Sequence, residues 1–201
     1  MKTFKTLSLA LLPAAMTLGV VAADAAAQSP APLTVQVYNA DGASFHVNAV
    51  LVAGKTDAVL LDTGFTRADA LRIAAMVLDS KKTLKTVYIS QADPDYYFGI
   101  EVIKQYFPDA KVVTTAPTLK KIEATLATKL QVWGPRMGAN APKSVPLPEP
   151  LSGNTISLEG QTLEIRGLDD ILPHRSYVWI PSIKTIAGCV NVYAGLHLWT
   201  A

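Results

Sequence analysis

Val87-Tyr88-Ile89-Ser90-Gln91-Ala92-Asp93-Pro94-Asp95-Tyr96-Tyr97-Phe98-Gly99 carries the chain from an apolar, β-branched run through a loop with two carboxylates into an aromatic stretch. Residues 86–90 read as a strand and residues 96–107 as a helix stopped by Pro108. A carboxylate just ahead of a helix is favoured by the helix dipole, so Asp95 reads as an N-cap. Carboxylates this close at the C-terminal end of a strand can also converge on one hard or borderline cation. The residues alone leave both readings open.

The segments on either side repeat the alternation of strand and helix. Leu33, Val35 and Val37 alternate with polar residues, Asp41-Gly42 signals a turn, and Phe45, Val47, Ala49 and Leu51 alternate again, which predicts a hairpin with His46 facing solvent. After the turn Gly54-Lys55-Thr56-Asp57, the continuous run Ala58-Val59-Leu60-Leu61 predicts a strand buried on both faces and ending at Asp62. Thr66 and Asp69 have the spacing of a capping box, and Leu71, Ala74, Ala75 and Leu78 recur at helical spacing as far as Ser80. Downstream, residues 111–115 read as a strand. Leu119, Ile122, Leu126, Leu130 and Trp133 mark one face of a helix ending at Gly134-Pro135. A Pro-rich stretch over residues 137–150 reads as a long surface loop or a connection between halves, and strands are predicted at 155–158, 162–166, 176–180 and 185–192. Helices alternating with strands after an antiparallel start predict an α/β chain with a mixed sheet.

Composition narrows the function classes. A net charge of +2 over 201 residues, with no block of like charge, argues against a nucleic-acid partner. Lys2 and Lys5, an apolar stretch over residues 7–23 and the small-residue site Ala23-Asp24-Ala25 read as a secretory signal over residues 1–25. The other reading, a membrane anchor, is disfavoured because the run falls short of the roughly 20 residues a spanning helix needs. Residues 26–201 then form one domain in the periplasm or outside the cell, with no membrane association after cleavage. Cys189, the single cysteine, has no partner for an internal disulfide. The chain stops at Leu196-His197-Leu198-Trp199-Thr200-Ala201, which reads as an element cut short.

The opening hairpin, the buried strand closing on Asp62-Thr63-Gly64, the helix after it and the strand entering the Asp93/Asp95 loop resemble the metallo-β-lactamase superfamily. The resemblance implies an αβ/βα four-layer sandwich, here C-terminally truncated. That superfamily carries His-x-His-x-Asp-His at this loop, where this chain has Gln91-Ala92-Asp93-Pro94-Asp95-Tyr96. Asp95 matches the motif's Asp, Asp93 takes the place of the middle His, and Gln91 and Tyr96 stand where His would be. The match looks like a divergent, exported branch with a degenerate metal motif. A Gln amide is a weak ligand and a Tyr phenol binds only once a metal removes its proton, so selectivity moves towards oxygen-preferring cations.

Other superfamily positions fall in the second half. Gly188-Cys189 resembles the Gly-Cys ligand of one lactamase subclass, and Cys189 reads either as a metal ligand or as a small buried apolar residue. His174 lies roughly where a third-strand His is expected and is either a ligand or merely exposed. His197 lines the same cleft or alternates outward. A final His near the C-terminal end has no counterpart. Asp62 is implied to support the loop through hydrogen bonds rather than by ligation.

Three functions follow. The first is an exported hydrolase-like enzyme in which Asp93, Asp95, His174 or Cys189 hold zinc or another divalent cation, with Asp95 catalytic and a small amide, ester or lactone as substrate. The second is a metal-free relative whose cleft, rimmed by Tyr96, Tyr97, Trp133 and the Pro-rich loop, binds a small molecule or a partner. The third is a truncated, inactive product.

Overall fold

A computed structural model describes residues 31–169 and 171–188. The predicted signal segment, Cys189 and His197 lie outside the described residues. The chain opens with the antiparallel pair β1 (Thr34–Asn39) and β2 (Asn48–Ala53), with Val35 opposite Val52 and Val37 opposite Val50. Then β3 (Asp57–Leu61) pairs antiparallel to β2, and β4 (Thr83–Ile89), β5 (Lys111–Thr114) and the short β6 (Glu149–Pro150) add parallel strands. The result is a six-stranded mixed sheet in sequence order. A second, antiparallel sheet runs in the order β10 (Thr185–Ala187), β9 (Tyr177–Ile180), β8 (Gln161–Arg166) and β7 (Thr155–Leu158).

The period-2 geometry of a strand divides the apolar run between two cores. Leu51, Leu60, Val87 and Ile89 turn to one face, where they meet Ile73, Ala74 and Val77 of α1 (Arg67–Asp79), Ile100 and Ile103 of α3 (Ile100–Tyr106) and Ile122 of α4 (Ala116–Met137). Val50, Val52, Val59, Leu61 and Tyr88 turn to the other and meet Ile156, Leu158, Leu163, Ile165, Val178 and Ile180 of the second sheet. Every residue of the run 58–61 is fully buried, which is why its sequence shows no alternation. Each such Val or Leu contributes roughly 1.5–3 kcal/mol, so the two cores dominate the stability of the sandwich. The described residues supply a helix layer, the mixed sheet and the second sheet. Among them, no helix is long and apolar enough to cross a membrane.

Several boundaries differ from the sequence reading. Phe45 and His46 do not alternate within β2; both adopt positive φ, 57° and 53°, in the connection that follows the 3-10 turn Gly42–Ser44. His46 is exposed, as predicted. The helix predicted over residues 96–107 is two pieces, α2 (Pro94–Tyr97) and α3, separated at Phe98-Gly99. The Tyr96 carbonyl accepts from Thr63 N at 2.8 Å and from the Thr63 hydroxyl at 3.1 Å, so it is taken by the turn after β3. Finally, α4 runs through Gly134-Pro135 to Met137. A proline this near the C-terminal end forfeits one intrahelical bond, and Trp133 and Arg136 pack together across it, the guanidinium 5.1 Å from the ring centroid.

Candidate functional site

Because β3 and β4 are parallel neighbours, their C-terminal ends lie side by side, Asp62 ending one and Ser90-Gln91 the other. Asp62 is buried and holds φ 65°, a left-handed conformation uncommon outside glycine. That turn aims its carboxylate at β4, where Oδ1 accepts from Ser90 N and Oδ2 from Ser90 Oγ, both at 2.8 Å. Asp62 therefore holds the first residue of the loop in place. A Cβ on Gly188 would lie 3.7 Å from Asp62 Oδ2 and from Ser90 Cβ, which brings the chain just ahead of Cys189 against the same spot.

Gln91 is fully buried, and neither its Nε2 nor its Oε1 has a hydrogen-bond partner. It forms an isolated antiparallel bridge with Arg175, a residue before β9. Buried Arg175 Nε and Tyr97 Oη are likewise unpartnered. Four sealed polar atoms without partners mark a place where a native protein departs from its usual full satisfaction.

Asp93, not Asp95, occupies the N-cap of α2, and its side chain makes no capping hydrogen bond. Its carboxylate lies between two cations instead: Lys129 Nζ stands 3.6 Å from Oδ1 and Arg175 Nη2 3.5 Å from Oδ2. Lys129 reaches in from α4, donates to the Ala92 carbonyl and lies 5.8 Å from the Tyr97 ring centroid. Burial lowers its proton affinity, and Asp93 opposes that shift. Asp95 sits within the first turn of α2. Burial pushes its pKa up to about 7; its own backbone N–H opposes this, Asp93 adds to it, and Lys129 and Arg175 counter it. Burial, followed by the charges of Asp93 and Asp95, pushes the Tyr97 phenol up well beyond its ordinary value.

The remaining candidates are dispersed. Tyr96 is buried with Ala40 and Val47, next to Tyr38, under the hairpin. Tyr97 is fully buried, so neither tyrosine rims a cleft as expected; their large apolar rings are sequestered under the loop. Trp133 packs against Phe45 and Phe65, with ring centroids 5.6 and 5.2 Å away. His174 is held below its ordinary pKa by burial and by the neighbouring Lys121 and Arg175. Among the described residues, no three His, Cys, Asp or Glu side chains form a group able to hold a metal, so Asp93, Asp95 and His174 are not brought together as one ligand set. Cys189 lies outside the described residues. Among the described residues, the motif positions of this loop do not make a zinc set: Gln91 is an orphaned amide, Tyr96 a phenol buried under the hairpin, and Asp93 a carboxylate already ion-paired.

Lys129 and Arg175 were not singled out by the sequence reading. Lys129 does carry a signal, since it falls seven residues after Ile122 and four before Trp133, on the inward face of α4. Arg175 carries none beyond its place beside His174.

No family model matches the sequence, and no curated relative matches it. Solved structures match by shape. The BLEG-1 B3 metallo-β-lactamase superposes with a TM-score of 0.59 at 13% identity over 76% of this chain and 70% of that one. A metallo-β-lactamase from Pontibacter korlensis gives 0.51 at 19% identity over 77% and 64%. One from Cronobacter sakazakii, described by a HARLDQ motif, gives 0.53 at 19% identity over 76% and 60%. The chain thus spans less than two thirds of the latter two structures. At such identities the likeness is one of architecture, and on it the chain has the metallo-β-lactamase fold.

Proposed function

We propose that this protein is a metal-independent binder of a small molecule, built on a hydrolase fold whose metal loop has been given over to charges of the chain's own. The observation that carries this reading is the double ion pair on Asp93, with Lys129 and Arg175 standing 3.6 and 3.5 Å from its two oxygens. A divalent cation approaching this carboxylate would meet two positive side chains, and its attraction to Asp93 would be offset at comparable range. Gln91, with both amide atoms sealed and unpartnered, supports the reading, as does Tyr96 under the hairpin. The near-neutral composition supports a small-molecule ligand over a nucleic acid, and the signal-like residues 1–25 support export to the periplasm or beyond.

The test is elemental analysis of the purified mature protein, with thermal shifts in zinc, manganese and chelator. Substoichiometric metal and an unmoved melting temperature are expected. Stoichiometric metal, with a melting temperature that falls on chelation, would overturn the proposal. One observation favours a second reading, a metal-dependent hydrolase: Gly188 abuts Asp62 and Ser90, so the chain approaches the loop just ahead of Cys189. The same measurement on Cys189→Ser separates the two, because only a ligating cysteine makes metal content depend on it.

A further inference from the structure

The turn between β2 and β3, residues 54–57, holds a carboxylate of the chain itself. Glu159, from the turn between β7 and β8, accepts from Lys55 N through Oε2 at 2.7 Å. Its Oε1 accepts from Thr56 N at 2.6 Å, from Asp57 N at 2.8 Å and from the Thr56 hydroxyl at 2.8 Å. Successive peptide N–H groups turned towards one anion form a nest, a concavity of positive partial charge. These donors, the Thr56 N–H foremost, hold the Glu159 carboxyl down at about 2. The turn is shaped without Glu159. The carbonyls of Lys55, Thr56 and Asp57 accept from Lys82 Nζ, Thr83 N and Gly54 N at 2.7, 2.9 and 2.9 Å, which leaves the three N–H groups to face a ligand. Gly54 makes the room, since a Cβ there would stand 2.6 Å from both Oε2 and the carboxyl carbon of Glu159.

The backbone of Glu159 is the second observation. Leu158 pairs with Gln161, so Glu159 and Gly160 form a two-residue hairpin loop, with φ 48° and 78°. A loop with positive φ at both residues favours Asn, Asp or Gly at the first, and glutamate is uncommon there. The turn alone gives no reason for this residue; the nest does.

We propose that residues 54–57 form a carboxylate-binding site and that Glu159 is its resident ligand, a latch fastening the β7–β8 hairpin to the first sheet at the start of β3. The other end of that strand is fastened by Asp62, Ser90 and Ser176, so the two sheets are pinned by polar contacts at both ends of β3 and packed by apolar side chains between them. Emptied of Glu159, the nest takes a free carboxylate from solution. In the wild type the tethered side chain excludes it through its effective concentration.

Melting temperatures of the purified protein in sodium acetate and in sodium chloride of equal ionic strength test this. Glu159→Asn supplies a better turn residue with a shorter reach, and it should melt below wild type. Melting at or above wild type would overturn the latch. Glu159→Gly also suits the turn and clears the nest; it should melt below wild type in chloride and recover saturably in acetate, whereas wild type responds alike to both salts. Gly54→Ala keeps an allowed backbone, because φ there lies outside the left-handed region, and its methyl group fills the nest. It should lower the melting temperature, add nothing to the loss in the double variant with Glu159→Gly, and remove the acetate response. Additive losses would overturn the shared site. An acetate response absent from Glu159→Gly, or equal in wild type, Glu159→Gly and the double variant, would overturn the carboxylate-binding site.

Discussion

The hydroxyls of Tyr88 and Ser176 meet at 2.6 Å between the two sheets. Ser176 also donates to the Ser90 carbonyl, through its backbone N at 3.0 Å and its Oγ at 2.8 Å. A serine hydroxyl has one proton, and here it is directed at Ser90, so Tyr88 is the donor in the inter-sheet pair. The residue preceding Gln91 is thereby fixed from both sides, by Asp62 on one and by Ser176 on the other.

Tyr88→Phe removes one of these bonds and should cost about 0.5–1.5 kcal/mol, the net worth of a typical buried hydrogen bond. Ser176→Ala removes both the acceptor for Tyr88 and a donor to Ser90, and should cost more, about 1–3 kcal/mol. Urea midpoints at constant m-value measure both. Equal midpoints for the two variants would contradict this order of effects.

Gly99 lies against the turn after β3. A Cβ placed on it would stand 2.0 Å from the Thr63 carbonyl oxygen and 2.8 Å from Ala70 Cβ. The Gly99 N–H also donates to the Gly64 carbonyl at 3.2 Å, so the backbone cannot back away without losing that bond. Gly99→Ala should therefore destabilise the fold by about 1–3 kcal/mol or more through overpacking, although alanine is the better helix former. A thermal midpoint unchanged from wild type would show that the α2–α3 junction yields more easily than the contact implies.

What could be read from the sequence was local. The capping box is present in full, the Thr66 hydroxyl accepting from Asp69 N while Asp69 accepts from Thr66 N, because its residues are three apart. The run 58–61 declared its double burial by lacking polar residues. The break at Phe98-Gly99 could not be read, because the group that takes the Tyr96 carbonyl, Thr63, is 33 residues away. The state of the loop was hidden for the same reason. Asp93 looks like a metal ligand within its own motif, and only the fold brings Arg175 to it from 82 residues away. The inward-facing Lys129 was the one local hint, since a lysine on an apolar helix face needs a partner within reach.

Asp95 gives the site a pH signature whose sign can be worked out. Its pKa is pushed up to about 7, chiefly by burial, whereas the unfolded chain releases that proton near the ordinary aspartate value of 3.8. Between those values the folded state binds the proton and the unfolded state does not, so stability falls as pH rises through the window. Above about pH 7 the folded chain must hold the charge, and the loss is complete. Asp95→Asn has no proton to release and keeps an acceptor for the Asp95 backbone N–H, so it should match wild type near pH 4 and gain on it steadily up to pH 7. Each pKa unit corresponds to about 1.4 kcal/mol; with partial solvent contact at this half-buried position, the gain at pH 8 should be roughly 1–3 kcal/mol. Asp69 and Glu101, whose carboxyls lie below their ordinary pKa values, act in the opposite sense at acid pH but are common to both proteins and cancel in the difference. The measurement is the difference in unfolding free energy between Asp95→Asn and wild type from pH 4 to 8. A difference that is flat across that range, or that shrinks as pH rises, would mean the carboxylate is already charged at acid pH and that Lys129 and Arg175 neutralise Asp95 as well as Asp93.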